Sequence, residues 1–199
     1  KKKDTKELLA KTALLNLLGA WGRCENYRYH MVTTSHADDV LWNGEVESRP
    51  TPHSERTAAG TARALELTKA YLKERIAFRK PLLDNQYIHF KLAELSTELE
   101  ALQSLIYRTA DLHMKSDEMF DMEVVRLASM AKLKSGRLAR EALDWCVQFH
   151  GAMGYMFETR INRIYRDIRL ASIGGGADEV MLGIIARMEG TLPKKKKSQ

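Results

Sequence analysis

The chain has 199 residues, of which 44% are hydrophobic and 29% charged, a balance typical of a soluble globular protein. Its formal net charge of +6 comes from its ends, where Lys1 to Lys3 and Lys194 to Lys197 leave the body between them close to neutral. This distribution argues against a nucleic-acid-binding face, and no run approaches the roughly 18 apolar residues of a membrane span.

Cysteine usage favours a reducing compartment. Cys24 and Cys146 are too few for a disulfide framework or a four-ligand zinc site, so no metal is predicted. Cys146 and His150 have the helical spacing of a thiolate–imidazole pair, but Cys146 lies in an apolar stretch, which favours a buried, inert thiol. No signal peptide is evident, and we expect a protein that is not secreted, mitochondrial in a eukaryote or cytoplasmic in a bacterium.

The first quarter of the chain, residues 1–54, is predicted to be an irregular N-terminal segment. Leucines over residues 5–20 indicate an amphipathic helix, after which the periodicity disappears and at most short strands, such as residues 39–42, are expected. Because the chain begins with lysine and not methionine, we expect a fragment or a processed product.

Residues 55–190 are predicted to form an all-α, up-and-down helical bundle, followed by a basic tail at 191–199. Apolar and small residues repeat at steps of three and four over 85–116 and over 121–150, which predicts two long antiparallel helices. We expect a further helix before them and two shorter ones after them, at residues 57–77, 158–166 and 177–188.

Three consecutive glycines, Gly174 to Gly176, precede the last predicted helix. Each costs about 1 kcal/mol where a helix is wanted, so they indicate a sharp change of direction or a close backbone approach. A loop that leads into a helix N-terminus presents free N–H groups, which can bind an oxygen or phosphate of a ligand. A connector that lets the last helix dock is the alternative.

Three motifs then follow a fixed order along the chain. Residues 75–86 read Arg-Ile-Ala-Phe-Arg-Lys-Pro-Leu-Leu-Asp-Asn-Gln, and residues 148–155 read Gln-Phe-His-Gly-Ala-Met-Gly-Tyr. The third motif is the glycine loop with its helix, which ends in Ile185-Ala186-Arg187. Over residues 55–190 this pattern resembles the C-terminal helical domain of the acyl-CoA dehydrogenase family, flavoenzymes that introduce a double bond between the α and β carbons of an acyl-CoA thioester.

The resemblance implies FAD as cofactor and assigns residues to it. In the first motif, Arg75 would contact the pyrophosphate, Phe78 the cofactor's flank and Gln86 a hydrogen-bonding group, all on the FAD of a neighbouring subunit. Two alternatives remain open here, because Arg75 can instead pair with a carboxylate and Phe78 can instead lie in the core.

The other two motifs also inherit cofactor contacts from the family. The second would hold the adenine end through Gln148, Phe149, His150, Gly151 and Ala152. The third would lie beside the isoalloxazine through Gly176, Ala177, Asp178 and Glu179.

The catalytic base is where this sequence departs from many family members. Gly175 occupies the position of the glutamate that removes the α-proton, and glycine supplies only a backbone N–H, which would bind the thioester carbonyl. Long-chain and isovaleryl-type relatives carry the acid on the helix before the first motif. Glu55, followed by Arg56, is the candidate there, although it lies fewer residues ahead of Arg75 than in those relatives.

Further departures concern close approach and completeness. Arg79 and Ala152 stand where the family usually has glycine. The family also has an N-terminal helical domain and a middle β-domain, which residues 1–54 are too short to supply, so the chain is expected to be one wall of an active site.

The resemblance implies an acyl-CoA substrate, an external electron acceptor and a homo-oligomer, with Leu65, Leu67 and Tyr71 contributing apolar surface between subunits. One rival is an acyl-CoA oxidase, in which oxygen reoxidises the flavin. The other is a non-catalytic helical-bundle oligomerisation module.

Overall fold

The computed structural model describes residues 52–116 and 121–193. Predictions for residues 1–51, including the helix at 5–20, the strands near 39–42 and Cys24, lie outside this part of the chain, as do Lys194 to Lys197. The described helices are α1 Pro52–Glu74, α2 Gln86–Lys115, α3 Met122–His150, α4 Ala152–Tyr155, α5 Arg160–Arg169 and α6 Asp178–Met188. Strands β1 Ile76–Ala77 and β2 Lys80–Pro81 form an antiparallel hairpin, and 3-10 turns span Leu82–Asp84 and Leu170–Ser172.

The all-α prediction is confirmed for the described residues, and the two long helices lie where the periodicity places them. Asn85 caps α2 by accepting a hydrogen bond from the backbone N–H of Tyr87, and Asp121 caps α3 in the same way through Glu123 and Val124. These caps explain why both starts were predicted closely.

The boundaries of two other helices were predicted incorrectly. The helix expected at 57–77 is α1, which begins at Pro52, since proline is favoured at a first helical position, and ends at Glu74, where the chain turns into the hairpin. The helix expected at 158–166 is α5, Arg160–Arg169, because Thr159 accepts a hydrogen bond from the backbone N–H of Asn162 and so caps a later start.

The core lies between α1, α2 and α3. The predicted stripes of α2 and α3 face it, with Leu95, Leu102 and Ala142 among the buried residues. Leu65 corrects an expectation, because its side chain is only 3% exposed and belongs to this core. Leu67 and Tyr71 pack partly against the same core, so α1 offers less apolar surface to another subunit than predicted.

Helix α1 runs parallel to α3. Near the start of α1, His53 is close enough to Lys132 of α3 for the ammonium group to lower the histidine pKa. Near its end, Tyr71 stacks on His150, with the ring centroids 4.3 Å apart. The two helices therefore run in the same direction and finish together, with the start of α1 beside the middle of α3.

Helices α2 and α6 run antiparallel to α3. Ion pairs join the facing positions of α2 and α3, namely Lys91–Glu141 at 2.9 Å and Lys134–Glu98. Contacts between α3 and α6 follow the same reversed order, with Arg140–Asp178 at 3.0 Å and Arg126–Glu189 at 3.9 Å. Among the described residues, no helix is both long enough and apolar enough to span a bilayer.

Candidate functional site

The first and second motifs meet at one end of the bundle, which we call the hairpin end (residues 71–86 and 148–152). The first motif turns there through β1 and β2, with Phe78 and Arg79 at the tip, and both have positive φ, 52° and 66°. This combination is the two-residue hairpin turn that favours glycine. The glycine that the family usually has at position 79 is thus explained by the positive φ of the turn. In this chain Arg79 adopts the same positive φ although it has a side chain.

The side chains of the first motif point into solvent. Phe78 is 93% exposed, which rules out the core alternative for this ring. Arg75 and Gln86 are also exposed. Among residues 52–116 and 121–193, none forms an ion pair with Arg75, so the alternative of a carboxylate partner finds no support there. The Arg75 backbone is held on both sides, by Tyr71 and by Leu82, at 2.9 Å each.

The residues of the second motif that were assigned to the cofactor differ in accessibility. Gln148, Gly151 and Ala152 are exposed. Gly151 has φ 59°, and no heavy atom would lie within 4 Å of a Cβ added there, so the backbone is open to approach. Phe149 is 8% exposed and belongs to the core, which leaves its backbone as the part that can reach a ligand.

His150 links the two motifs. Its ring stacks on Tyr71, and the Tyr71 hydroxyl donates to the His150 carbonyl at 3.4 Å. Burial lowers the pKa of His150, so the ring is neutral near pH 7, and Nδ1 lies 2.8 Å from the Cys146 carbonyl. The Cys146 thiol is fully buried and its pKa is raised by burial to about 11, which confirms the inert thiol.

Several large apolar side chains surround the hairpin end in exposed positions. They are Ile76 (57% exposed), Phe78, Tyr87 (62%) and Phe90 (57%). Sequence analysis missed this patch and placed the apolar surface on α1. Its residues come from the hairpin and the start of α2, and only the turn of the chain brings them together.

The third motif lies at the glycine-loop end (residues 171–179). Gly175 and Gly176 have φ of 66° and 107°, so the loop reverses direction in conformations that only glycine adopts readily. Ala177, at the helix N-cap, is half-buried, and Glu179 is exposed. The N–H groups of Gly175 and Gly176 form no backbone hydrogen bond within the described residues, and so they are available to an acceptor.

Asp178 has a structural role at this end. Its carboxylate is buried, and Arg140 and Arg137 of α3 lie 3.0 Å and 3.7 Å from one of its oxygens. These contacts tie the first turn of α6 to α3. Its other oxygen, Oδ1, is buried and has no hydrogen-bond partner among the described residues.

The glycine-loop end also contains a residue that sequence analysis missed, Lys132 on α3. It is fully buried, and its ammonium group donates to the carbonyls of Ala171 at 2.5 Å and Gly176 at 2.9 Å. Burial lowers the pKa of Lys132, an effect that the nearby Asp178 charge opposes. Only a weak indication of this role exists in the sequence, because Lys132 is simply a lysine that lies beside the stripe of small residues on α3.

Glu55 occupies the first turn of α1 and is half-buried. Its neighbour His53 interacts electrostatically with Lys132, which itself binds the glycine loop. This shared neighbour places the start of α1 close to Lys132 of α3.

The structure therefore brings the first two motifs together and keeps the third apart. The glycine loop and the first turn of α6 contact α3 from Lys132 to Arg140, and these positions lie about 27 to 15 Å before His150 at 1.5 Å per residue. Between the two motif regions, a cleft of about 440 Å³ is lined by residues of α3 and α5, among them Arg137, Asp144 and Arg169. Arginines and carboxylates both line it, and Arg137 also contacts Asp178.

An all-α bundle with a glycine loop against the middle of α3 and an exposed Arg–Phe hairpin at one end is the arrangement expected of the C-terminal helical domain of the acyl-CoA dehydrogenase family. Residues 53–189 match the family described as "Acyl-CoA dehydrogenase, C-terminal domain". The chain belongs to this family.

Known proteins resemble the chain over the same region. It is 32% identical to the probable acyl-CoA dehydrogenase YdiO of Escherichia coli (strain K12) over 149 residues, which is 75% of this chain and 37% of YdiO. The acyl-CoA dehydrogenase structure from Geobacillus kaustophilus superposes with a TM-score of 0.65 and 33% identity, covering 69% of this chain and 35% of that one. Butyryl-CoA dehydrogenase from Megasphaera elsdenii gives 0.63 and 29%, covering 68% and 34%. The chain spans little more than a third of these relatives.

Proposed function

We propose that the chain is an acyl-CoA dehydrogenase-like flavoprotein domain that contributes to the α,β-dehydrogenation of acyl-CoA thioesters. The observation that carries this proposal is the exposure of the family's cofactor groups, Arg75, Phe78 and Gln148, together at the hairpin end. We attribute turnover to a protein in which this domain is joined to, or assembled with, the rest of the family's architecture, because the chain covers 37% of YdiO.

The residues present fit FAD. At the hairpin end, Arg75 offers a guanidinium that forms no ion pair within residues 52–116 and 121–193, and this cation suits the pyrophosphate. Gln86 and Gln148 offer amides, while Phe78 can cover an apolar flank. The exposed Gly151 and Ala152 let a ligand approach the backbone. When bound, FAD supplies the acceptor for the hydride that leaves the substrate.

The separation of the two ends supports assigning them to two different cofactors. The glycine-loop end contacts α3 about 15 to 27 Å before His150, and on this basis the hairpin end would meet the FAD of a neighbouring subunit and the glycine-loop end the flavin ring of its own. The exposed apolar patch around Phe78 supports a homo-oligomer, since such a patch is normally covered by a partner.

At the glycine-loop end, the backbone would act on the substrate. The Gly175 N–H, which has no backbone partner among the described residues, would donate to the thioester carbonyl and stabilise negative charge as the α-proton leaves. Gly176, Ala177 and Glu179 would line the flavin beside it.

Glu55 is the candidate for the base. Removal of an α-proton requires a carboxylate near the substrate, and Gly175 has no side chain to supply one. Glu55 is half-buried in the first turn of α1, and this turn begins near Lys132, the residue that holds the glycine loop. This location supports Glu55 as the group that takes the proton.

The first test is flavin binding, measured by absorbance and by titration of the purified protein with FAD. We expect a yellow, stoichiometric complex. A chain that takes up no FAD would refute the proposal and favour the alternative, a non-catalytic oligomerisation module, for which Gly175 at the usual base position is the supporting observation.

The second test addresses the base and the acceptor. In a protein that joins this domain to the rest of the family's architecture, mixed anaerobically with acyl-CoAs of several lengths, Glu55→Gln should slow flavin bleaching by at least about a hundredfold. The matched control is Glu66→Gln, on the same helix three turns away, where the carboxylate forms a surface ion pair with Arg63 at 3.0 Å. Equal rates in both variants would exclude Glu55. Admitting oxygen after bleaching separates an oxidase, which recovers its colour at once, from a dehydrogenase that needs an external acceptor.

A further inference from the structure

The glycine loop is held by a single buried cation. Ala171 precedes the loop and Gly176 ends it, and the carbonyls of both accept hydrogen bonds from the Lys132 ammonium, at 2.5 Å and 2.9 Å. Lys132 is 0% exposed, so this contact lies beneath the loop and out of water.

The neighbouring residues make room for this contact. Gly136 lies one helical turn after Lys132, where a Cβ would come within 2.7 Å of the Ser172 hydroxyl oxygen and 3.2 Å of the Ala171 carbonyl. The absence of a side chain at position 136 allows the turn before the loop to rest directly on α3. Asp178, tied to Arg140 at 3.0 Å, fixes the other side of the loop to the same helix.

Few other hydrogen bonds restrain the loop itself. Ile173 and Gly174 donate to the Leu170 carbonyl at 2.9 Å and 2.8 Å. Gly175 and Gly176 donate to no backbone acceptor among the described residues. Since glycine has the widest conformational freedom of any residue, a loop with so few bonds of its own needs an external restraint to keep one conformation.

We propose that Lys132 is a positioning residue that clamps the two ends of the glycine loop and thereby sets the direction of the Gly175 N–H. Desolvating an ammonium is costly, and the two carbonyls with the Asp178 charge nearby compensate for it only when the loop is closed. The closed loop is thus coupled to the burial of the charge. The clamp follows from the contacts alone, while its consequence for the thioester carbonyl rests on the proposed function.

The test is local amide hydrogen exchange in the intact chain. Ile173 and Gly174 report on the loop, and Val180 and Met181, which donate to the Ala177 carbonyl, report on the first turn of α6. Lys132→Met removes the donor and keeps the length of the side chain. We expect these four amides to exchange at least about tenfold faster, with the middle of α2 unchanged.

Lys134→Met is the matched control. It removes the same charge two residues away on the same helix, where Lys134 pairs with Glu98 at the surface, and it should leave the four amides within about twofold. Lys132→Gln keeps an amide donor and should restore part of the protection. Unchanged loop exchange in Lys132→Met would overturn the clamp, as would an equal increase in α2 or a loss of fold in both Lys132 variants.

FAD titration of the unmodified chain, run in parallel, separates the clamp from the proposed function. Faster loop exchange in Lys132→Met together with no FAD uptake would uphold the clamp and refute the proposed function. FAD uptake by the unmodified chain together with unchanged loop exchange in Lys132→Met would refute the clamp and support the proposed function.

Discussion

The two ends of the bundle present opposite kinds of surface. The hairpin end exposes side chains, among them Phe78 at 93%, on a turn whose backbone is well bonded. The glycine-loop end exposes backbone N–H groups and keeps its charged residues, Lys132 and Asp178, buried beneath them. Side chains can be replaced one by one with local effects, whereas a backbone surface depends on the groups that support it. Mutations at the two ends should therefore differ in kind.

The largest expected difference between the two ends is in how acidification changes the free energy of unfolding. Burial and the nearby charges of Lys132 and Arg56 lower the pKa of His53 to about 4. Above pH 7 the ring is neutral in folded and unfolded chains alike. As the pH falls from about 6.5 towards 4, only the unfolded chain binds the proton, and the free energy of unfolding should fall by about 3 kcal/mol.

Urea unfolding of wild type and His53→Gln at pH 7 and pH 4 measures this loss, which should be absent from the variant. His150→Gln is the counterpart at the hairpin end. Burial also lowers the pKa of that histidine, and because it is only half-buried the loss that it removes should have the same sign and be smaller. A His53 variant that loses as much stability as wild type would contradict the assignment.

Substitutions of arginine at the hairpin end should act on the ligand and not on the fold. Arg75→Ala removes the cation assigned to the pyrophosphate and should weaken FAD binding about ten- to a hundredfold, or roughly 1.5–3 kcal/mol. Arg79→Ala, at the position where the family usually has glycine, should change it by much less. Equal losses in a flavin titration would remove Arg75 from the site.

A pair of glycine substitutions compares the two backbones directly. Gly176→Ala forces alanine to φ 107° and places its Cβ 2.5 Å from the Met181 methyl carbon, while Gly151→Ala adopts φ 59° with nothing within 4 Å. The first should cost about 2 kcal/mol or more of unfolding free energy, and the second about 1 kcal/mol. Chemical denaturation of both variants checks the order, and a reversed order would mean that Met181 moves aside freely.

The smallest expected effect is a gain. Arg79 has φ 66° in the hairpin turn, a conformation that glycine adopts without strain. Arg79→Gly should therefore raise the free energy of unfolding by up to about 1 kcal/mol, with part of the gain offset by the freedom of glycine in the unfolded chain. A thermal shift relative to wild type measures it, and a lower melting temperature would show that the Arg79 side chain stabilises the turn.

Sequence periodicity predicted the long helices well because their signals are local. Asn85 and Asp121 cap the helices through their own neighbours, and the stripe that contains Leu95 repeats with the helical period. The core position of Leu65 was missed because it depends on how α1 packs against α2 and α3, whereas the start of α1 at Pro52 follows a local preference that the periodicity did not use.

The sequence predicted which residues form the candidate site but not how they are arranged in space. Arg75, Phe78 and Gln148 were assigned from motifs, and two alternatives were left open, a carboxylate partner for Arg75 and a core position for Phe78. Lys132 was missed, since its partners are carbonyls about 40 residues away in the chain and carbonyls leave no mark in the sequence.

By itself, then, the sequence of this protein determined an all-α bundle, the family to which it belongs and the order of its three motifs. Only the tertiary structure decided that two of the motifs share one end of the bundle while the glycine loop contacts α3 about 15 to 27 Å away from it. The physical reason is range. Helix periods, caps and glycine conformations are properties of neighbouring residues, whereas the parallel pairing of α1 with α3 and the burial of Lys132 arise from contacts between segments far apart in the chain.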